Sequence, residues 1–295
     1  MSVTRILVSP EGPQFSRLVM GYQRLLEWQL SPRELLGFIE QHLELGITTV
    51  DHADSYGHHG CEAAFGQALA LKPGLREKLQ IVSQCSMVSG GSGLAPQAAH
   101  DSSDKAHIIA SAEHSLRHFN TDHLDLLLLN HSDYLMNADE VAKAFNNLKK
   151  SGKVRHFGVS NFTPRQFELL QSRLEYPLVT NQIAISPLHQ HGLIDGTLDL
   201  CQQRHIRPMA WSCLGGGALF KASAHQALRD ELAQVALEVD ATSIEQVVYA
   251  WIMKLPSQPL PIIGSGKIAR IKQAAQAEDL PLTRQQWYRI QRAGM

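Results

Sequence analysis

Asp51 and Tyr56 are the residues most able to do chemistry in this chain. They lie in the stretch Gly46-Ile47-Thr48-Thr49-Val50-Asp51-His52-Ala53-Asp54-Ser55-Tyr56-Gly57. The apolar run reads as a buried strand ending near Asp51, with Tyr56 in the loop that follows. An acid and a phenol held together at a strand end make a proton-transfer pair. Further polar residues recur at the ends of other apolar runs: Gln84, Asn130 with His131, Ser160 and Asn161, Asn181 and Gln182, Trp211 and Ser212, Gly264 and Ser265. For any one of them a satisfied core hydrogen bond is the ordinary explanation, because buried polar groups are paired. Their recurrence at most strand ends points instead to a ligand site. The stretch Pro261-Ile262-Ile263-Gly264-Ser265-Gly266-Lys267-Ile268-Ala269-Arg270 adds two glycines that let the backbone come close to a ligand. Its hydroxyl, two cations and helix start near Ile268 suit a phosphate group.

Positioning such residues requires a repeating frame. Eight strands are predicted: Arg17–Gly21, Thr48–Ala53, Leu79–Cys85, Leu124–Asn130, Val154–Ser160, Leu178–Ile185, Arg207–Ser212 and Leu260–Gly264. Helix signals fall between them. Ser31-Pro32-Arg33-Glu34 is a capping box with Pro at the first helical position, followed by Leu35, Ile39 and Leu43. Asp139–Lys150, a segment opened by Thr163-Pro164, and Ser243–Leu255 are also helical by periodicity. Continuous apolar strands such as Leu126-Leu127-Leu128-Leu129 suit a parallel sheet covered on both faces. Eight strand–helix repeats predict an α/β fold, a (β/α)8 TIM barrel in a single domain spanning 1–295, with its site at the carboxyl ends of the strands. A doubly wound open sheet is the alternative, disfavoured because no Gly-x-Gly-x-x-Gly follows the first strand. Arg5–Phe15 is expected to form a hairpin across the barrel bottom. The loop Ser86–Ser103, rich in Gly, Ser and Ala, is expected to have no structure of its own and to act as a lid.

Composition narrows the function classes. The 295 residues carry 27 basic and 28 acidic side chains, a formal net charge of −1, and are 44% hydrophobic. That balance argues against a nucleic-acid binder or a membrane-surface protein working through bulk charge. There is no apolar run of membrane-spanning length, and a secretory signal is not expected from the opening residues. Cys61, Cys85, Cys201 and Cys213 lack metal or redox spacing and read as reduced thiols. The expectation is a cytoplasmic protein, with a monomer favoured.

The motifs together carry a resemblance. Asp51-x-Ala53-x-x-Tyr56, Leu124-Asp125-Leu126-Leu127-Leu128, Gly152-Lys153-Val154-Arg155-His156-Phe157-Gly158-Val159-Ser160-Asn161-Phe162, Asn181-Gln182 and Ile263-Gly264-Ser265 resemble successive motifs of the aldo-keto reductases, from about Phe15 to the C-terminal end. The resemblance implies a barrel, NADPH as cofactor, and reduction of a small-molecule carbonyl to an alcohol. It makes Tyr56 the general acid and Asp51 the buried carboxylate of the catalytic group. It places Ser160, Asn161 and Gln182 on the nicotinamide carboxamide, Trp211 against its ring, and Ser212 and Leu214 along the pyrophosphate. Ser265, Lys267 and Arg270 would meet the adenosine 2′-phosphate, and Gly264 is a further cofactor-binding candidate.

Two departures touch the mechanism. The family's catalytic Lys is replaced by Gln84 and its catalytic His by Asn130, with His131 adjacent. A free Tyr has a pKa of about 10, and a nearby cation lowers it by roughly 1–3 units. Gln84 brings no charge and leaves Asp51 without an ion-pair partner. Low or altered activity is therefore expected. The alternative is an impaired NADPH-binding barrel that senses redox state or binds a partner. Gln23 stands where the relatives tend to have Trp, which argues against an aromatic substrate pocket. His52 is expected to face the barrel wall or the helix layer. A third class, a metal-dependent hydrolase using His58, His59 and His131, has no recognisable ligand spacing behind it.

Overall fold

Twelve strands and eleven α-helices are found in a computed structural model that describes residues 2–85, 87–88, 100–221 and 223–295. The strands are β1 (Arg5–Leu7), β2 (Gln14–Ser16), β3 (Val19–Gly21), β4 (Thr49–Asp51), β5 (Gln80–Cys85), β6 (Met87–Val88), β7 (His100–Asp101), β8 (Leu124–Leu129), β9 (Val154–Ser160), β10 (Asn181–Ala184), β11 (Met209–Trp211) and β12 (Leu260–Ile263). The helices are α1 (Pro32–Glu44), α2 (Gly60–Ala70), α3 (Lys105–Phe119), α4 (Ala138–Lys150), α5 (Pro164–Gln171), α6 (Thr197–Gln203), α7 (Ala218–Lys221), α8 (Gln226–Glu238), α9 (Ile244–Met253), α10 (Ile268–Ala275) and α11 (Arg284–Ala293). Eight strands close a parallel barrel in the order β3-β4-β5-β8-β9-β10-β11-β12, with β12 returning to β3. All eight expected strands are present; Val154–Ser160 keeps its expected bounds and the other seven are shorter than expected.

Strand periodicity sorts the side chains into two cores, because successive residues face opposite ways. Val19, Val82, Leu126, Leu128, Val179, Met209 and Leu260 pack together inside the barrel. Their neighbours Met20, Ile81, Leu127, Leu129 and Ala210 pack outward beneath the helices. This explains the unbroken apolar run of β8: both of its faces are buried. The interior core is completed at one end by Val8 and Phe15, both fully buried. Val8 follows β1 and Phe15 lies within β2; the two strands pair antiparallel with Ile6 opposite Phe15. The Arg207 N–H just before β11 donates to the Val8 carbonyl at 2.7 Å, so this hairpin lies across the amino ends of the strands.

Local signals set the helix starts. Ser31 accepts from the Glu34 N–H at 3.3 Å while the Glu34 carboxylate accepts from the Ser31 N–H at 2.8 Å. Thr163 and Gln166 repeat this exchange at α5. Gly66 lets α2 approach α3: a methyl group there would lie 1.9 Å from the His118 carbonyl oxygen. The loop after β5 departs from expectation, because β6 and β7 pair antiparallel, Met87 with Asp101 and Val88 with His100. Backbone pairing at the loop's base gives it a stem that its Gly- and Ser-rich composition hides. Residues 89–99, its remainder, lie outside the described residues.

Candidate active site

At the carboxyl end of the barrel, inward-facing polar residues from three strands meet. Asp51 ends β4, Gln84 faces inward from β5, and Gln182 from β10; they are 3%, 2% and 3% exposed. The Gln182 Nε2 donates to Asp51 Oδ1 at 2.7 Å, and the Gln84 Nε2 to the same oxygen at 3.3 Å. Gln84 Nε2 also lies 3.0 Å from the Gln182 Oε1, closing a triangle. A hydrogen bond to a charged group contributes about 1.5–3 kcal/mol, whereas removing a carboxylate from water costs several kcal/mol. Two neutral amides therefore do not offset the burial. Desolvation, opposed by these two amides, raises the Asp51 pKa to about 7.

Tyr56 stands half-buried in the turn after β4, beside this triangle. Burial, and then the neighbouring Asp51 charge, push its phenol well above the ordinary range, against the pull of a hydrogen bond with Gln84. Gln84 brings no cation that would reverse this. The pair read from the sequence is thus brought together, with amides rather than a cation donating to Asp51.

The remaining residues line the mouth. Asn161 accepts from the Trp211 indole N–H at 3.1 Å, and its own amide lies 3.3 Å from the Asn130 carbonyl oxygen and 3.4 Å from His131 Nδ1. His131 therefore reaches the mouth by way of Asn161, while Asn130 is half-buried at the end of β8. Ser160 donates to the Gln182 carbonyl at 2.9 Å. Gln182, expected on a carboxamide, has its side-chain amide occupied by Asp51 and Gln84 instead. Asn161 and Ser212 both adopt left-handed backbone, φ 59° and 53°. Such conformations persist where the surroundings enforce them and cluster at ligand sites. Trp211 keeps a 36% exposed ring and Gln23 is exposed. Leu214 leads into the glycine turn 215–217.

After β12, a side chain at Gly264 would meet nothing within 4 Å. Ser265 accepts from the Lys267 N–H at 3.3 Å, and Lys267 stands at the N-cap of α10 without a side-chain cap bond. Lys267 and Arg270 are exposed. An uncapped helix start with two free-standing cations and open backbone fits a phosphate group. The donor set thus fits a phosphorylated dinucleotide, with aromatic and amide groups at the mouth and cations at α10.

His52 is fully buried, stacked on Tyr22 at 4.9 Å between ring centroids and edge-on to Phe65 and Phe119. It faces the helix layer as expected, and desolvation lowers its pKa to about 3. The metal set His58, His59 and His131, disfavoured from the sequence, does not gather among the described residues. Among the described residues, the group close enough to share a metal ion is His59, Glu62 and His118. Sequence reading missed Glu62 and His118, although His114 and His118 stand at i and i+4 on one helix face, a recognisable ligand spacing. A cavity of about 420 Å³ at the opposite end, beside Ser9, His205 and Arg207, is lined by no carboxylate and no phenol.

The closed parallel barrel carries Asp51 and Tyr56 side by side at its carboxyl end. Residues 17–294 match the aldo/keto reductase family, and the chain belongs to it. It is 61% identical to oxidoreductase YdhF of Escherichia coli K12, covering 99% of this chain and 98% of that protein. A protein of Agrobacterium fabrum named 6-dehydroglucose reductase is 40% identical, with 94% and 93% covered. Among solved structures, an aldo/keto reductase from Klebsiella pneumoniae in complex with NADP and acetate superimposes with a TM-score of 0.77 at 23% identity, covering 99% of this chain and 95% of that one. No helix among the described residues is long and apolar enough to cross a membrane.

Proposed function

We propose that this protein reduces a small aldehyde or ketone with NADPH, slowly by the standard of a site that keeps its lysine. The observation that carries the reading is the Tyr56 phenol beside the Asp51–Gln84–Gln182 triangle at the strand ends. NADPH supplies the hydride. Ser160 and Asn161 would hold the carboxamide, with Gln182 joining only by releasing Asp51. Trp211 would cover the nicotinamide ring, and Ser212 and Leu214 would line the pyrophosphate. Gly264 would admit the backbone close to the 2′-phosphate, with Ser265, Lys267 and Arg270 around it, which favours NADPH over NADH.

Tyr56 gives its proton to the carbonyl oxygen as negative charge develops there. Gln84 steadies the resulting phenolate with a hydrogen bond alone. Asp51 orients Gln84 and Gln182, and its own proton, retained up to about pH 7, spares the phenolate a second negative charge. Asn130 would help orient the carbonyl. The rim residues Gln23, Asn130 and His131 make the mouth polar, and one relative bears the name 6-dehydroglucose reductase. A hydroxylated, sugar-like carbonyl is the substrate class this supports.

Fluorescence titration with NADPH and NADH, followed by turnover on a panel of sugar-derived and simple aldehydes, tests the reading. Tight NADPH binding with measurable turnover, reduced at least about 100-fold in Tyr56→Phe, is expected. Binding without any turnover would favour the second reading, a redox-sensing or partner-binding barrel, for which the missing cation is the supporting observation. Failure to bind either nucleotide would exclude both.

A further inference from the structure

One layer outside the barrel wall, behind the Tyr56 loop, lies a second polar cluster that the reductase chemistry does not use. Glu62, on the first turn of α2, is fully buried. Its Oε1 accepts from the Ser83 hydroxyl at 2.6 Å. Its Oε2 lies 2.9 Å from His59 Nδ1 and 3.9 Å from His118 Nδ1. The ligand atoms of these three residues all lie within 4.8 Å of one another. His118 Nδ1 is itself shielded from solvent and has no hydrogen-bond partner. Asp54, only 5% exposed, accepts from the Ser111 hydroxyl at 2.7 Å and leaves its other oxygen unpartnered. A third imidazole, His114, stands one turn before His118, its ring centroid 5.8 Å from that of His59 and 6.4 Å from that of His118.

A buried carboxylate keeps its charge only when it is paired or coordinates a metal. Here no lysine or arginine is ion-paired with Glu62 among the described residues; imidazoles surround it. Tetrahedral zinc, with bonds of about 2.0–2.1 Å, places its ligand atoms about 3.3 Å apart. The Glu62 separations of 2.9 and 3.9 Å straddle that figure, and all three ligand atoms lie within 4.8 Å of one another, close enough for one ion to draw them together. The spacing carries the same signal: two histidines at i and i+4 on one helix face are a metal-ligand pattern. Ser83 then acts as the partner that fixes the orientation of the ligating carboxylate.

We propose that His59, Glu62 and His118 form a binding site for a divalent transition-metal ion of the zinc class, with His114 as the fourth donor. The site is separate from the reductase centre and does no chemistry on the carbonyl. Its effect is mechanical. His59 lies three residues after Tyr56 in the same turn, so a bound ion ties that turn to α3 and holds the phenol in place.

The test uses the full-length, untagged protein, stripped with chelator and titrated with Co²⁺ by visible absorption, then with Zn²⁺ in competition. One equivalent of Co²⁺ with the intense bands of tetrahedral coordination, displaced by Zn²⁺, is expected, together with a Zn²⁺-dependent rise in Tm. His118→Gln, at a partly exposed helix position where folding is preserved, should weaken binding at least about tenfold. Glu62→Gln should abolish the tetrahedral bands. His191→Ala, on an exposed turn elsewhere, should leave them unchanged. Absence of a tetrahedral spectrum in the native protein would overturn the proposal. So would binding that survives His118→Gln unchanged, which would place the ion on scattered surface histidines.

Discussion

Ser83 and Gln84 are neighbours on one strand, yet they serve two carboxylates on opposite sides of the barrel wall. Inside, Gln84 and Gln182 donate to Asp51; outside, Ser83 and His59 meet Glu62. The inner partners are amides, which offer dipoles but no charge. The outer set includes imidazoles, and the hydrogen bond to Glu62 raises the His59 pKa despite its partial burial. The contrast separates two ways of keeping an acid inside a protein. Neutral donors leave the acid protonating near neutrality, as Asp51 does at about 7. Partners that can accept a proton, or share an ion, let the acid keep its charge.

The largest perturbation should come from prying open the outer cluster alone. Gly66→Val forces β-branched bulk against the His118 carbonyl, where even one methyl would lie 1.9 Å away. Backbone cannot swing aside as a side chain can. The expected loss is about 3 kcal/mol in urea unfolding, while nucleotide titration of the folded fraction stays near native, because Asp51, Gln84 and Gln182 stand on the strands. A variant as stable as the native protein would show that α2 and α3 are not held as tightly as their contact implies.

Next in size is the inner network given the charge it lacks. Gln84→Lys puts a cation between Asp51 and Tyr56 and should raise turnover about tenfold, equivalent to about 1.4 kcal/mol in the barrier. The Asp51 pKa should fall at the same time, since an ion pair replaces a dipole. An unchanged rate would mean that the missing charge does not limit the reaction.

The smallest effect is a slope. The folded Asp51 carboxyl has a pKa of about 7, against an ordinary 3.8. Its contribution to stability is complete below about pH 4 and is lost as pH rises toward 7. His52 works in the opposite sense: its folded pKa of about 3 lies below the ordinary 6.5, so stability is lost as pH falls through that window. In the native protein the two slopes largely cancel. Asp51→Asn should remove one and leave a rise of about 1 kcal/mol per pH unit between pH 4 and 6, read as Tm against pH. A profile as flat as the native one would mean that Asp51 is charged throughout.

The barrel was legible in the sequence because each strand is a short apolar run and each crossover has room for a helix. The Ser31 and Thr163 capping boxes announced α1 and α5 through local hydrogen bonds that need no tertiary context. Asp51, Gln84 and Gln182 could be placed at strand ends for the same reason. Their mutual bonding could not, because Asp51 and Gln182 meet only when β4 and β10 face each other across the closed barrel. The stem formed by β6 and β7 escaped notice because two-residue strands leave no periodicity to read. The outer cluster was hidden differently. Glu62 and His118 belong to separate helices, and their meeting depends on the close approach allowed at Gly66. The clue within reach was the alternation of β5: if Gln84 faces inward, Ser83 faces outward toward whatever α2 presents.

Closure of the barrel by β12 against β3, with Ile262 beside Val19 and Ile263 beside Met20, has a consequence for synthesis. During translation, β3 emerges early and waits until nearly all of the chain has followed before its neighbour exists. Through that interval the nascent protein presents an open strand edge of the kind that invites intermolecular pairing. Ribosome-stalled or truncated chains ending before residue 260 should therefore bind chaperones more strongly than the finished polypeptide. The last strand out completes the ring, and with it the cell's release from that hazard.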